Sequence, residues 1–232
     1  MYRAFNRLLP AGPITACLIF LASSLAAVGC GSSEVTFEWI DDPAQARVPK
    51  VLRVVNRQIT KIEERNGVRL SASSGNGVAW VNGTEFGSGT IEVDIRGRED
   101  MQQTYVGIAF HRKNDTTYDA VYLRPFNFRI ADPLRKQHAV QYISMPKFDF
   151  QDLRDQFPEE FENPVDPSVV PTDWVRLRVV VDGSKVQIYV GPSNQVTLEV
   201  RKLGELDGGQ VGLWVGNVSG GDFANLVVTT AK

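Results

Sequence analysis

The sequence predicts an all-β domain, a two-sheet antiparallel sandwich, and three observations carry that reading. From Thr36 onward, short runs rich in β-branched and aromatic residues recur between glycine, asparagine and aspartate turns. Within the runs, apolar and polar residues alternate with period two, as a strand with one buried and one wet face requires. The number of such runs in one domain points to two packed layers.

The elements follow in order. "QITKIEE" and "VRLSAS" are divided by Arg65, Asn66 and Gly67, where Asn-Gly tolerates the positive φ of a tight hairpin turn. Strands are expected next at Gly77–Val81 and Gly89–Arg96; in the latter, Ile91, Val93 and Ile95 take one face and Glu92, Asp94 and Arg96 the other. Residues 105–112 and 120–124 read as adjacent antiparallel strands joined by the polar stretch "HRKNDTTY", with His111 at a strand end. Val121 and Leu123 fall on the core face there, Tyr122 and Arg124 on the opposite one, and Pro125 ends the strand by removing a backbone donor. Residues 139–144 continue the pattern. Asp182, Gly183 and Ser184 then turn "VRLRVVV" back into "KVQIYV". Residues 196–200, Gln210–Val215 and residues 223–229 complete the set, and Val211, Leu213 and Val215 oppose Gly212, Trp214 and Gly216.

A leader precedes this domain. Arg3 and Arg7 make a basic start, and residues 14–27 form an uncharged apolar run, short of the ~20 residues that cross a bilayer. Ala27, Val28 and Gly29 lead into Cys30, and "LAAVGC" resembles the lipobox of bacterial lipoproteins, with Ala27 where that family favours leucine and Leu25 two positions earlier. The resemblance implies a signal peptide over residues 1–29, a lipidated Cys30 and short tether over residues 30–35, and the sandwich over residues 36–232. A secreted leader with a cysteine near its cut is the alternative. One acyl chain holds a membrane only marginally, so stable anchoring rests on the several chains such lipoproteins carry. The expected location is the bacterial cell envelope, in the outer membrane if the host is Gram-negative, because Gly31 lacks the acidic character of an inner-membrane retention signal.

With 232 residues, 43% hydrophobic and 22% charged, the chain suits one sizeable globular domain. Its only cysteines are Cys17 and Cys30, so the domain beyond them has no internal disulfide and rests on core packing. Removing residues 1–29 takes Arg3 and Arg7, and no acid, from 25 basic and 27 acidic side chains, a net charge of −4 that argues against nucleic acid as a partner.

Several phrases then occur in succession: "GTEFGSGTIEVDIRG", "YVGIAFHRKNDTTYDAVYLRPFN", "HAVQYISMP", "TDWVRLRVVVDGSKVQIYV", and "GQVGLWVGN" with "FANLVV". Together they resemble the concanavalin A-like lectin and glucanase superfamily. They are most similar to the laminin-G-like bacterial domains grouped with the 3-keto-disaccharide hydrolase family. The likeness spans residues 68–228 and lies in strand order and short phrases. It implies a β-jelly-roll of two curved antiparallel sheets, in which the concave sheet and adjoining loops commonly bind carbohydrate and some members hydrolyse glycosides.

Laminarinases of that fold carry Glu-x-Asp-x-x-Glu on one strand for retaining hydrolysis. Glu92 and Asp94 match the first two positions, but Gly97 holds the third and Glu99 lies two residues beyond it. They are the catalytic candidates, and their ordinary role would be a solvated strand face paired with Arg96 or Arg178. Only His111 and His138 are available as imidazoles, the sequence has no Gly-x-Ser-x-Gly elbow, and its glycine-rich stretches lack the lysine of a phosphate loop. No metal site and no cofactor are expected, apart from a structural cation that the acids Asp152, Asp155, Glu159, Glu160 and Glu162 could attract; their ordinary role is a solvated face.

The ligand candidates are Tyr122, Arg124, Asn127, Gln141 and Trp214, for sugar hydroxyls, a carboxylate or a sugar face. Competing roles are ion pairing of Arg124 with Glu92 or Asp94, and burial of Trp214. Residues 145–171 interrupt the strands with acids, prolines and Phe148, Phe150, Phe157 and Phe161, far beyond an ordinary loop of ~4 to 6 residues. A short helix is expected near residues 149–157, with the phenylalanines docking the segment or stacking on ligand.

Three classes of function remain. The first is a cell-envelope lipoprotein with a lectin-like, carbohydrate-binding domain, its partners a carbohydrate or glycoconjugate and, through the lipid anchor, the membrane. The second is a glycoside or 3-keto-glycoside hydrolase using Glu92 or Asp94, with Tyr122 and Arg124 fixing hydroxyls. The third is a non-catalytic envelope domain that binds another protein.

Overall fold

A computed structural model describes residues 31–39 and 49–231; the leader and the lipidation candidate Cys30 lie outside the described residues. Along the chain the strands are β1 (Gly31–Glu34), β2 (Leu52–Val55), β3 (Ile59–Ile62), β4 (Gly67–Leu70), β5 (Gly77–Val81), β6 (Gly89–Arg96), β7 (Val106–Asn114), β8 (Thr117–Leu123), β9 (Val140–Met145), β10 (Glu162–Asn163), β11 (Val175–Asp182), β12 (Lys185–Val190), β13 (Leu198–Arg201), β14 (Gln210–Val215) and β15 (Gly221–Thr230). Two short helices, α1 (Pro133–Gln137) and α2 (Phe150–Gln156), flank β9 in sequence. The first sheet has the order β13-β12-β11-β6-β15-β4-β3, with β1 added on β15; the second has the order β10-β9-β8-β7-β14-β5-β2. All pairings in these sheets are antiparallel. This is the two-sheet antiparallel sandwich that the strand pattern predicts, as the jelly-roll implied by the resemblance also requires.

Alternation decides which residues meet between the sheets. On β6, Ile91, Val93 and Ile95 are at most 1% exposed, and on β11 Val175, Leu177 and Val179 continue the same face. Facing them are Val106 and Ile108 of β7, Val121 and Leu123 of β8, and Leu213 and Val215 of β14, in register across the second sheet. Burying so many branched side chains, at about 1.5–3 kcal/mol each, replaces the disulfides the domain lacks.

Close approaches fix one end of the sandwich. A Cβ added at Gly221 of β15 would meet Val106 Cγ1 at 2.5 Å, and one added at Gly97, just past β6, would meet Pro125 Cγ at 2.6 Å. At the other end, Thr230 of β15 pairs with both Gly89 of β6 and Gly31 of β1. The length of β6 separates the two ends by about 23 Å at ~3.3 Å per residue.

Two expectations are corrected. Gly31, Ser32 and Ser33, read as tether, pair with Thr230, Thr229 and Val228 as strand β1. All four β1 residues are exposed, so only main-chain hydrogen bonding holds the strand and no apolar alternation announces it. Likewise "HRKNDTTY" is largely strand: β7 extends to Asn114 and β8 begins at Thr117, with a register break between Phe110 and Asn114. His111 therefore sits inside β7 at a bulge, with φ 53°, and not at a strand end.

His111 is fully buried, with Nδ1 2.9 Å from Asp119 Oδ2 and Nε2 2.7 Å from the Gly87 carbonyl. Tyr142 donates its hydroxyl to the other Asp119 oxygen at 3.0 Å. Burial, and then the Asp119 charge, push the Tyr142 phenol far above its ordinary range. This polar knot satisfies its own members and pins an unfavourable backbone conformation.

Candidate functional site

The outer face of the second sheet carries a continuous aromatic band. Residues in register opposite the core positions are Trp80 on β5, Trp214 on β14, Tyr118 and Tyr122 on β8 and Gln141 on β9. Small residues between them let the rings lie against the backbone: a Cβ on Gly107 would meet Tyr122 Cβ at 2.7 Å, and one on Gly212 would meet Trp80 Cε3 at 2.7 Å. Trp214 donates from its indole to Tyr118 Oη at 3.1 Å, and its ring lies 4.8 Å from that of Tyr122. The flat exposed tryptophan considered from the sequence is thus a packed one, 3% exposed. Stacking on Tyr122 and a satisfied indole N–H explain its burial.

Arg124 follows Tyr122 at the end of β8 and is only 4% exposed. Its guanidinium donates to Tyr122 Oη at 2.7 Å, Gln141 Oε1 at 3.2 Å and the His138 carbonyl at 2.9 Å, and lies 4.8 Å above the Tyr122 ring. Its carboxylate partner is Glu162 of β10, 3.8 Å away. Ion pairing with Glu92 or Asp94 does not occur. Those two project from the outer face of the first sheet, with the whole core between them and Arg124.

Glu162, expected on a solvated acidic face, is 3% exposed. Arg154 of α2 grips it with Nε at 3.1 Å and Nη2 at 2.8 Å, and His138 Nδ1 lies 2.6 Å from its other side. That last approach pairs charge and dipole but is not aligned as a hydrogen bond, and Nδ1 counts among the unpartnered buried atoms. Burial holds the His138 imidazole below its ordinary value against the pull of Glu162, and Arg154 and Arg124 depress it further. Burial also raises the Tyr122 phenol, against the pull of the same two arginines.

Local sequence explains how these groups arrive. Asp149 caps α2 by accepting from the Gln151 and Asp152 amides, while Asp152 reaches back to the Asp149 amide, a capping box that starts the helix on schedule. Leu153, 1% exposed, anchors α2 to the domain, which leaves Phe150 and Arg154 over the end of the aromatic band. Phe161 packs on Tyr142, and Phe157 packs on both Phe161 and Phe148. The long segment is docked by phenylalanines as expected, with Phe150 the exception at 42% exposed.

At this end the band opens into a depression of about 490 Å³. Tyr105 and Phe126 form one wall with rings 5.7 Å apart, Phe150 the other, and Arg124 and Asn127 contribute to the lining. Asn127 donates to the His138 carbonyl at 3.1 Å, which orients its amide; its Oδ1 is buried and has no hydrogen-bond partner among the described residues. The lining also includes Gln102, Arg135, His138 and Arg154, and no aspartate or glutamate. Of the ligand candidates, Arg124 and Asn127 line the depression, whereas Tyr122 and Gln141 are buried behind it as acceptors for Arg124, and Trp214 packs on Tyr122. Tyr105, Phe126, Arg135 and Arg154 carry no sequence signal for the site, whereas Phe150 is one of the phenylalanines for which stacking on ligand is the alternative to docking.

The catalytic candidates stand elsewhere. Asp94 accepts from Arg176 at 2.8 Å and Asn225 at 2.7 Å, with Arg65 at 3.4 Å, so it is a tie between strands. Glu92 is opposite Arg178 in the β6–β11 register. Among the described residues, no group of three or more His, Cys, Asp or Glu side chains is placed to hold a metal ion.

No protein-family model matches the chain, and no curated protein sequence does. Solved structures do resemble it. The carbohydrate-binding module CBM66 from Bacillus subtilis superposes with a TM-score of 0.55 at 16% identity, over 76% of this chain and 93% of that one. A Bacillus licheniformis β-glucanase gives 0.53 at 13% identity, over 87% and 99%. The exoplasmic/lumenal domain of VIP36, in a Ca2+/Man3GlcNAc-bound form, gives 0.52 at 10% identity, over 84% and 88%. With two antiparallel sheets and these neighbours, the chain has the concanavalin A-like jelly-roll fold.

Proposed function

We propose that the chain is a cell-envelope lipoprotein whose jelly-roll domain binds carbohydrate, without catalysis, in the depression between Tyr105, Phe126 and Phe150. The observation that carries this reading is the depression itself: aromatic walls for sugar faces, with Arg124, Asn127, Arg135 and Arg154 also in its lining. Solved structures of the same fold, among them a carbohydrate-binding module and a Man3GlcNAc-bound domain, lend support. Glycoside hydrolysis needs a pair of carboxyl groups flanking the bond. The lining has none, Glu162 behind it is held by Arg154, and Glu92 and Asp94 lie across the core. The envelope anchor rests on the "LAAVGC" stretch. An anchor at Cys30 would sit beside β1, at the end of the sandwich opposite the depression, leaving the depression turned away from the membrane.

The test is a glycan array probed with the full chain, run beside assays for sugar released from glycosides and 3-keto-glycosides. Binding without release, abolished by Phe150→Ala, is expected. Release that disappears in Glu92→Gln or Asp94→Asn would replace this reading with the hydrolase one, and silence in both assays would favour a protein-binding domain.

A further inference from the structure

We infer that the depression selects saccharides bearing an anionic substituent, a uronate carboxylate or a sulfate ester, over their neutral counterparts; this rests on the depression being the sugar site.

The charge balance is the first argument. Arg124, Arg135 and Arg154 all contribute to the lining; among the described residues Glu162 is the one carboxylate that hydrogen-bonds or ion-pairs with any of their guanidinium groups, while Asp132 accepts from the Arg135 backbone amide. The His138 imidazole, which adjoins Glu162, Arg124 and Arg154, adds no compensating negative charge. A chain with formal net charge −2 thus concentrates an excess of guanidinium in one concavity, where low-dielectric walls strengthen an attraction to anions. The Arg135 guanidinium has no carboxylate partner among the described residues and leans on the Met101 thioether. Arg154 commits Nε and Nη2 to Glu162 and keeps Nη1 in hand. Guanidinium groups match carboxylate and sulfate oxygens through paired, charge-assisted hydrogen bonds.

The second argument separates a charged sugar from a bare anion. Aromatic rings of Tyr105, Phe126 and Phe150 wall the depression, apolar surface that an inorganic anion does not use and a sugar ring does. Phe150 keeps 42% of its surface exposed, although Arg124 and Arg154 lie 5.9 and 5.3 Å from its ring centre. A pyranose C–H face suits such a ring, and the adjoining cations suit an acidic group on the same residue.

The experiment titrates the full chain, purified in detergent, with matched sets of oligosaccharides. Oligogalacturonate, oligoglucuronate and oligomannuronate are each compared with their methyl esters, and sulfated oligosaccharides with their unsulfated parents. The anionic member of at least one set is expected to bind about tenfold more tightly at low salt, a preference that shrinks as ionic strength rises. Arg135→Gln, which leaves the Glu162 cluster whole, is expected to cut the anionic affinity by about threefold. Which set responds distinguishes carboxylate from sulfate. Equal affinity for charged and neutral members, with both lost in Phe150→Ala, overturns the anion preference and leaves the carbohydrate site standing. No binding by any member overturns the carbohydrate site and the preference with it. Binding that survives Phe150→Ala and Arg135→Gln undiminished locates the sugar elsewhere and overturns both.

Discussion

Two buried carboxylates, one on the outer face of each sheet, show how the same ion chemistry serves different ends. Asp222, at the start of β15, accepts from Arg69 at 2.6 and 2.9 Å and from Arg96 at 2.7 and 2.9 Å. Its partners run out into water, Arg69 with 57% of its side chain exposed. Glu162, on the second sheet, is held by Arg154 and approached by Arg124, and both cations lie against aromatic rings. The first cluster closes a seam between β4, β6 and β15. The second borders a depression walled by Tyr105, Phe126 and Phe150 and joined by a further guanidinium, Arg135, and that combination sets it apart as the binding site.

The sharpest way to break the comparison is Glu162→Gln. Removing the charge strands Arg124 and Arg154 beside apolar rings, and truncating one partner of a buried pair costs about 3–5 kcal/mol. Urea denaturation should show that loss in full; a change below 1 kcal/mol would mean the cluster is solvated like the one on the first sheet. Tyr122→Phe comes next, at about 1–3 kcal/mol, because a nearly buried Arg124 loses an acceptor. Asp222→Asn should cost less, about 1 kcal/mol, since its arginines are partly exposed.

A pH series of stability separates the two clusters. Burial pushes the Asp222 carboxyl up, but hydrogen bonds from Arg69 and Arg96 and then their charges outweigh it and hold the group below its ordinary 3.8. Its contribution is therefore present above pH 3.8 and is lost only as pH falls through the lowered folded value. His138 is held below its ordinary 6.5, so as pH drops from about 6.5 the unfolded chain takes up a proton that the folded chain refuses. Stability then falls until the pH passes the folded value. The early loss should vanish in His138→Asn and the later one in Asp222→Asn, and exchanging those assignments would refute the electrostatics of both faces. The smallest effect is reserved for Glu92→Gln, within about 0.5 kcal/mol and without influence on sugar binding.

Much of the fold was legible because alternation is local. Gly77–Val81, Gly89–Arg96 and Gln210–Val215 are strands over the very spans their sequence pattern predicts, and Val121 and Leu123 face the core with Tyr122 opposite. The sheet to which a strand belongs is not local. Glu92, Asp94, Tyr122 and Arg124 all read as outward-facing, yet the first two look out from one sheet and the last two from the other. Period two gives a face relative to a strand's own neighbours and says nothing of which layer the strand joins. His111 and Asp119 escaped for another reason: polar residues in a strand are read as wet, and only the bulge and the Tyr142 hydroxyl make them core. Glu162 was masked by its acidic neighbours, because sequence does not show which one of several acids will meet Arg154. β1, β2 and β10 are short, and none carries a full apolar alternation.

The most direct test is a map of backbone amide shifts in the full chain as a binding oligosaccharide is titrated in. Shifts concentrated at Tyr105, Asn127, Phe150 and Arg154, with Glu92 and Asp94 unmoved, are the expected result. Shifts centred on Glu92, Asp94 and Arg178, with the depression silent, would contradict the assignment of the site to the second sheet.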